Sequence, residues 1–143
     1  MMQLIVYPSD DVPIYRQIMR QIVEAIAGGR LRHGDKISSH RELAEQLVVA
    51  PLTVKKAYDE LELLGYVETQ RGRGTFVCAR PPKFKPAEQR ERLRAAARKL
   101  LSEAYVGGLR LKDMEEILRE ADREISSGQP SSAGAVRREK EQS

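Results

Sequence analysis

Cysteine, histidine and aromatic residues are scarce in this chain. Its 143 residues include one cysteine, two histidines and no tryptophan, and aromatic residues make up 5%. A single cysteine, Cys78, excludes an internal disulfide and favours a reducing compartment. His33 and His40 stand in no ligand-spaced set with cysteine or carboxylates, so we expect no metal site. The few aromatics, beside 41% hydrophobic residues, predict a small helical core.

Long apolar runs are missing too. The sequence contains no apolar stretch of about 20 residues, the length that a membrane-spanning helix needs. The run Gln3–Val6 is too short for a signal peptide and lacks a basic leader. We therefore expect a cytoplasmic protein that does not enter a membrane.

Patterns that support catalysis are also missing. The segment Gly72–Gly74 is too short to cradle a phosphate and falls inside a predicted hairpin. No serine or cysteine can be paired with a plausible base, and Cys78 is interpreted as a strand filler rather than a redox sensor. We therefore do not expect an enzyme, and we predict no catalytic residue and no cofactor.

The overall charge is close to balanced. The chain carries 25 basic and 21 acidic residues, a net charge of +4, and the segment from Met1 to Arg80 is itself near neutral. Such a balance assigns no partner by itself, so the positions of the basic residues have to be considered.

A first helix is predicted to begin at Pro13 and to end at Gly28, after a short strand over Leu4–Tyr7. Its apolar residues share one helical face. That face comprises Ile14, Tyr15, Ile18, Ile22, Ala25 and Ile26. The opposite, polar face comprises Arg16, Gln17, Arg20 and Glu24.

Two more helices follow. Ser39 and Glu42 have the spacing of a capping box, which predicts that the second helix starts at Ser39. Pro51 is typical of a first helical turn, and Gly65 is expected to end the third helix. The predicted buried stripe of the third helix is Val54, Ala57, Tyr58, Leu61 and Leu64.

Two β-rich runs then surround a basic, glycine-containing turn. Tyr66–Gln70 and Thr75–Cys78 flank Arg71–Gly74, which predicts a tight hairpin. Together these elements predict a mainly α fold over residues 1–80, a winged helix-turn-helix with a β-hairpin wing. In such a fold one helix braces, the next enters a DNA major groove, and the wing contacts the flanking groove.

The remaining chain is predicted to form a linker over residues 81–86, two helices over 87–126 and a disordered tail over 127–143. Each helix has an apolar stripe. The first stripe is Leu93, Ala97, Leu100, Leu101 and Ala104. The second is Met114, Ile117, Leu118, Ala121 and Ile125.

These stripes are too apolar to stay in water, since burying each Leu or Ile is worth about 1.5–3 kcal/mol. We expect pairing with a second copy around a two-fold axis. The alternative is that both helices fold back onto their own winged domain. Two-fold symmetry predicts a palindromic operator with half-sites about 34 Å apart, or a multiple of that distance.

Several motifs in combination resemble the GntR family of bacterial transcription factors. The resemblance covers roughly residues 5 to 79. It rests on Pro13–Ile18, Gly34–Lys36, Arg41–Ala44, Thr53–Val54 with Ala57–Tyr58, and Gly72–Val77. The short C-terminal part resembles the YtrA-like branch of that family, which implies a homodimeric repressor. The sequence names no small-molecule effector, although one is possible for such a protein.

The chain departs from the family pattern at several positions. The family usually has Pro where His33 and Ser38 stand, Gly where Val48 stands, and often a Ser-Arg pair where Ala50 and Pro51 stand. In the YtrA-like branch, Asn often stands where Leu52 is. Base recognition is therefore expected to differ from the usual pattern.

The candidate DNA-contacting residues come from three stretches. Arg41 matches a family contact position and can bind a phosphate or a base edge. The arginines of the wing suit a narrow minor groove. The alternative for Arg41 is a solvated side chain paired with Glu45. For Lys55 and Lys56 it is a merely solubilising face, and for the wing it is a generic charged turn. Leu52 is either a thymine-methyl contact or a plain exposed leucine. The full set is Ser39, His40, Arg41, Leu52, Thr53, Lys55, Lys56, Arg71, Gly72 and Arg73.

The sequence therefore predicts a homodimeric regulator, a repressor, that binds double-stranded DNA. The alternative from another class is an adaptor whose winged helix binds a protein partner, which the near-neutral charge of the segment from Met1 to Arg80 favours.

Overall fold

The computed structural model describes residues 3–80, 83 and 85–128. Five helices and a small sheet are present in these ranges. In chain order they are α1 (Ile14–Ala27), β1 (Lys36–Ile37), α2 (His40–Leu47), α3 (Pro51–Leu63), β2 (Val67–Gln70), β3 (Gly74–Val77), α4 (Pro86–Val106) and α5 (Leu111–Ser127).

The chain divides into two compact units. The first, which we call the winged unit, comprises the chain up to residue 82 together with the chain from Glu124 onward. The second, the helical unit, comprises Lys83–Arg123. The winged helix-turn-helix predicted from the sequence is confirmed, with α1, α2 and α3 packed beside a three-stranded antiparallel sheet.

The core of the winged unit joins all three helices to the sheet. Its largest fully buried apolar side chains are Ile18 and Ile22 of α1, Leu43 of α2, Val54 and Leu61 of α3, and Val67 and Val77 of the sheet. Leu64 was expected in this core, and that expectation was wrong, because its side chain is 47% exposed. Leu64 follows the last helical residue of α3 as its C-cap, so it no longer continues the buried stripe.

The strand order is β1-β3-β2, so the C-terminal strand of the wing is central. β1 was not predicted. Lys36 pairs with Phe76 and Ile37 with Thr75, and the pairing extends to a hydrogen bond from the Val77 amide to the Asp35 carbonyl at 2.8 Å. The loop before α2 is thereby held against the base of the wing.

The expected strand over Leu4–Tyr7 was wrong, as was the placement of Gln17 on a polar face. Gln17 is fully buried, and its amide accepts from the Tyr7 N–H at 2.8 Å and donates to the carbonyls of Tyr7 and Val12. Gln21 makes the same type of bond pair with Ile5. The side-chain amides of Gln17 and Gln21 thus hydrogen-bond to the main chain of the extended N-terminal segment. In a β-sheet, a neighbouring strand would make these bonds instead.

The two C-terminal helices begin and end close to their expected positions. α4 begins at Pro86, one residue earlier than expected, because proline suits a first helical position. Gly107 is the C-cap of α4, and Gly108 follows it with φ +90°. Ser127 belongs to α5 rather than to a tail, while residues 129–143 of the expected tail lie outside the described residues.

The end of α5 belongs to the winged unit. The Ile125 carbonyl lies so close to Gly28, the C-cap of α1, that a side chain at position 28 would collide with it. Ile125 is half-buried there.

Candidate nucleic-acid interface

Helices α2 and α3 are joined by the short turn Val48–Ala50. Leu43 and Ala44 on α2 and Val54 and Ala57 on α3 are all buried, so the two helices are fixed to the core along their inner faces. The outer face of α3 is left for contact with other molecules.

The start of α2 is held by two hydrogen bonds. The Ser39 hydroxyl oxygen accepts from the Glu42 amide at 3.1 Å, as the capping pattern predicted. The Tyr58 hydroxyl donates to the Ser38 carbonyl at 2.7 Å, and burial raises the pKa of Tyr58, so this donor stays protonated. Ser39 and His40 are half-buried at this helix end and Arg41 is exposed. A helix N-terminus with these groups is suited to an anion such as a phosphate.

The cations of α3 are exposed but engaged. Lys55 Nζ lies 2.8 Å from Asp59 Oδ2, in an ion pair that is about half exposed on both sides. Lys56 Nζ lies 4.2 Å from the centre of the Tyr15 ring. Arg16 Nε donates to the Tyr15 hydroxyl at 3.1 Å, which gathers a second cation at the same ring.

Tyr15 and Arg16 were not foreseen as neighbours of α3. Tyr15 was assigned to the apolar face of α1, and it does pack against the core, yet its ring also supports Lys56. Nothing in the local pattern around Tyr15 indicates a contact with a residue so much later in the chain. Thr53, also predicted to contact DNA, is half-buried in the first turn of α3.

The wing presents Arg71 and Arg73 at its turn, both exposed. Gly72 has φ +78° and Gly74 has φ +123°, values that glycine adopts without strain, so the tight turn depends on them. The Arg73 amide donates to the Gln70 carbonyl at 2.9 Å and closes the turn.

Lys36 is a further cation at the wing. Its side chain crosses Gly74, where an added Cβ would lie 2.8 Å from Lys36 Cε. Lys36 was not among the predicted contacts, because it was expected to fix the loop before α2 rather than to bind a partner. Lys36 is exposed, so its ammonium group belongs to the same basic edge of the wing.

The remaining chemistry-bearing groups are structural. His33 Nδ1 lies 2.8 Å from the Cys78 carbonyl oxygen. Cys78 is half-buried, and burial raises the pKa of its thiol, so it is poorly suited to act as a nucleophile. Within residues 3–80, 83 and 85–128, no group of three His, Cys, Asp or Glu side chains could hold a metal ion. No helix in these same ranges is both long enough and apolar enough to cross a bilayer.

Comparison with known proteins gives consistent matches. The family model of bacterial regulatory proteins, gntR family, matches residues 14–77. The HTH-type transcriptional repressor YtrA of Bacillus subtilis is 34% identical over 121 residues, which are 85% of this chain and 93% of that protein.

Two solved structures have similar folds. A transcriptional antiterminator from Listeria monocytogenes EGD-e has a TM-score of 0.80 at 29% identity, covering 89% of this chain and 95% of that one. YtrA from Sulfolobus acidocaldarius, a GntR-family transcription factor, has a TM-score of 0.56 at 37% identity. The match covers 71% of this chain and 97% of that one.

Proposed function

Since this chain belongs to the gntR family of bacterial regulatory proteins, we propose that it represses transcription by binding a palindromic operator as a homodimer. It is a DNA-binding transcriptional regulator, and its relatives are regulators rather than enzymes. The observation that carries the proposal is the exposure of cations from three separate stretches around one helix-turn-helix. They are Arg41, the pair Lys55 and Lys56, and the pair Arg71 and Arg73.

Each part of the winged unit has a role in this proposal. The outer face of α3 enters the major groove, with Thr53 and Lys55 near its leading end. The N-terminus of α2, with Ser39, His40 and Arg41, binds a backbone phosphate. The turn of the wing places its two arginines in the adjacent minor groove, where the potential is more negative.

Dimerisation is assigned to the helical unit. Leu93 and Leu100 on α4 are 58% and 43% exposed, and Ile117 and Leu118 on α5 are 41% and 57% exposed. Burying each of these side chains stabilises an assembly by about 1.5–3 kcal/mol. A second copy supplies an equally apolar surface, and the resulting two-fold axis matches a palindromic operator.

A selection experiment tests the function directly. The full chain is incubated with a pool of random DNA duplexes, and bound duplexes are amplified and sequenced. We expect enrichment of a palindromic sequence and binding of it in gel shifts. Arg41→Ala should weaken that binding at least tenfold, because a charged contact is lost. Arg119→Ala on α5 is the charge-matched control.

Two results would contradict this proposal. If no duplex is enriched, the proposed function is wrong, and the near-neutral charge of the segment from Met1 to Arg80 then favours an adaptor that binds a protein. If Arg41→Ala and Arg119→Ala bind equally well, the start of α2 is not part of the interface.

A further inference from the structure

The N-terminal end of α3 and the turn before it are apolar and exposed. Val48 ends α2, Ala50 is the N-cap of α3, and Pro51 and Leu52 are its first two residues. All four side chains are exposed, Val48 at 89% and Leu52 at 78%. We call these four residues the apolar tip. None of their side chains can donate or accept a hydrogen bond.

The backbone of Val48 adds a second, independent observation. Val48 has φ +55° and ψ +51°, the left-handed region, and it is the only residue other than glycine with positive φ within residues 3–80, 83 and 85–128. A β-branched side chain is strained there, whereas glycine is not. Because the Val48 side chain is almost fully exposed, packing within the chain offsets little of this strain. Strain of this kind is concentrated at functional sites.

The surroundings of the apolar tip indicate what it contacts. Val48, Ala50 and Pro51 line one shallow depression, whose other lining residues are Arg41, Ala44, Glu45 and Val49. Lys55 lies one turn beyond Leu52 on the same helix. A partner has to accept the apolar groups of the tip together with the nearby cations Arg41 and Lys55. A DNA major groove fits both demands, since phosphates border it and each thymine places a methyl group inside it.

We infer that the apolar tip recognises thymine through the C5 methyl group, an inference that rests on the proposed function. Val48 and Leu52 enclose that methyl group, while Arg41 and Lys55 bind the flanking backbone or base edges. Sequence preference at this position then comes from apolar contact instead of hydrogen bonds. The operator half-site carries at least one thymine whose methyl group is required for full affinity.

Uracil substitution tests the inference without altering the protein. The duplex enriched by the full chain is synthesised with deoxyuridine in place of each thymine in turn, which removes only the methyl group. We expect affinity to fall about fourfold for each methyl group enclosed by the apolar tip, the equivalent of one buried carbon. Uracil at positions outside the contact should leave affinity unchanged.

Two variants assign the effect to the apolar tip. Val48→Gly should raise the unfolding temperature, because strain is released, and should weaken binding to the thymine duplex but not to the uracil duplex. Leu52→Ala should lose the same preference without gaining stability. Leu63→Ala is the control, since Leu63 is 87% exposed at the far end of α3.

The outcomes separate this inference from the proposed function. If an operator is enriched but thymine and uracil bind equally at every position, the inference is overturned and the function stands. If Val48→Gly and Leu52→Ala retain the full preference, the apolar tip contacts something else, such as a protein, and the inference is again overturned. If no duplex is enriched, both are overturned.

Discussion

Two glutamines on α1 anchor the N-terminal segment through its backbone. Gln17 is fully buried and makes three hydrogen bonds of 2.8–3.0 Å to Tyr7 and Val12, and Gln21 is 6% exposed and bonds Ile5. A buried amide is costly unless its donors and acceptors are satisfied, and here each is satisfied by main chain. The prediction from polarity alone therefore assigned Gln17 to the wrong face of α1. Its hydrogen-bond partners lie on an irregular segment, and such a segment has no periodic pattern in the sequence that would indicate these bonds.

Gln17→Leu is expected to destabilise the fold by about 2–4 kcal/mol. The substitution keeps the volume of the side chain but removes three hydrogen bonds, those with the amide and the carbonyl of Tyr7 and with the carbonyl of Val12. Urea unfolding at a fixed protein concentration measures the change. Gln46→Leu, at an exposed site on α2, is the control and should stay within about 0.5 kcal/mol of the original. Equal stability of the two variants would contradict the anchoring role.

Asp59 restrains a cation of the recognition helix. Its carboxylate lies 2.8 Å from Lys55 Nζ, and both side chains are more than half exposed. An exposed ion pair contributes little stability, so its loss should be nearly neutral for folding. Asp59→Asn releases Lys55 and removes a negative charge from the face of α3 that we propose contacts DNA. We expect DNA affinity to rise about two- to fivefold at low salt, for all sequences alike.

The control for Asp59→Asn is Asp122→Asn on α5, which removes the same charge from an exposed site in the helical unit. Titration of labelled duplex by fluorescence anisotropy at two salt concentrations measures both variants. Equal affinities of the two variants would place Asp59 and Lys55 away from the bound DNA.

Among the elements, those with local end signals could be predicted from the sequence. Ser39 and Pro51 determine where α2 and α3 begin, because capping and proline preferences act within one turn. β1 could not be predicted, since its two residues become a strand only by pairing with β3, which lies far along the chain. In the candidate site, too, only the features that depend on local sequence could be predicted. The exposure of its cations was foreseen, whereas the contact of Lys56 with Tyr15 depends on the packing of α3 against α1.

The wing is an element whose role can be measured by salt dependence. Arg71→Ala combined with Arg73→Ala should weaken operator binding and lower the slope of log affinity against log salt by about 2, because fewer counterions are released. Gel shifts at a series of salt concentrations give the slope. Arg119→Ala with Arg123→Ala on α5 is the charge-matched control. An unchanged slope in the wing variant would remove the wing from the interface.

For the whole molecule, the two units have different surfaces. Over the ranges that the structure describes, the winged unit buries most of its large apolar side chains in one core, and the exceptions are the apolar tip with Ile5, Leu63 and Leu64. The helical unit exposes most of its apolar residues, and only Ala104 and Met114 are buried among the described residues of α4 and α5. Exposed apolar side chains of this kind are typical of an interface, so the proposed contact with a second copy belongs to the helical unit.

Leu100→Asp is therefore expected to convert the proposed dimer to monomers. In the proposed interface a carboxylate at this position would be desolvated twice, once from each copy. Light scattering at several concentrations measures the mass, and Leu63→Asp on α3 is the control that should remain dimeric. The monomer binds one half-site at a time, so its affinity for the full operator should fall at least 100-fold, while affinity for an isolated half-site stays the same. A dimeric Leu100→Asp protein would exclude α4 from the interface, and a monomer that binds the full operator normally would disprove two-fold recognition.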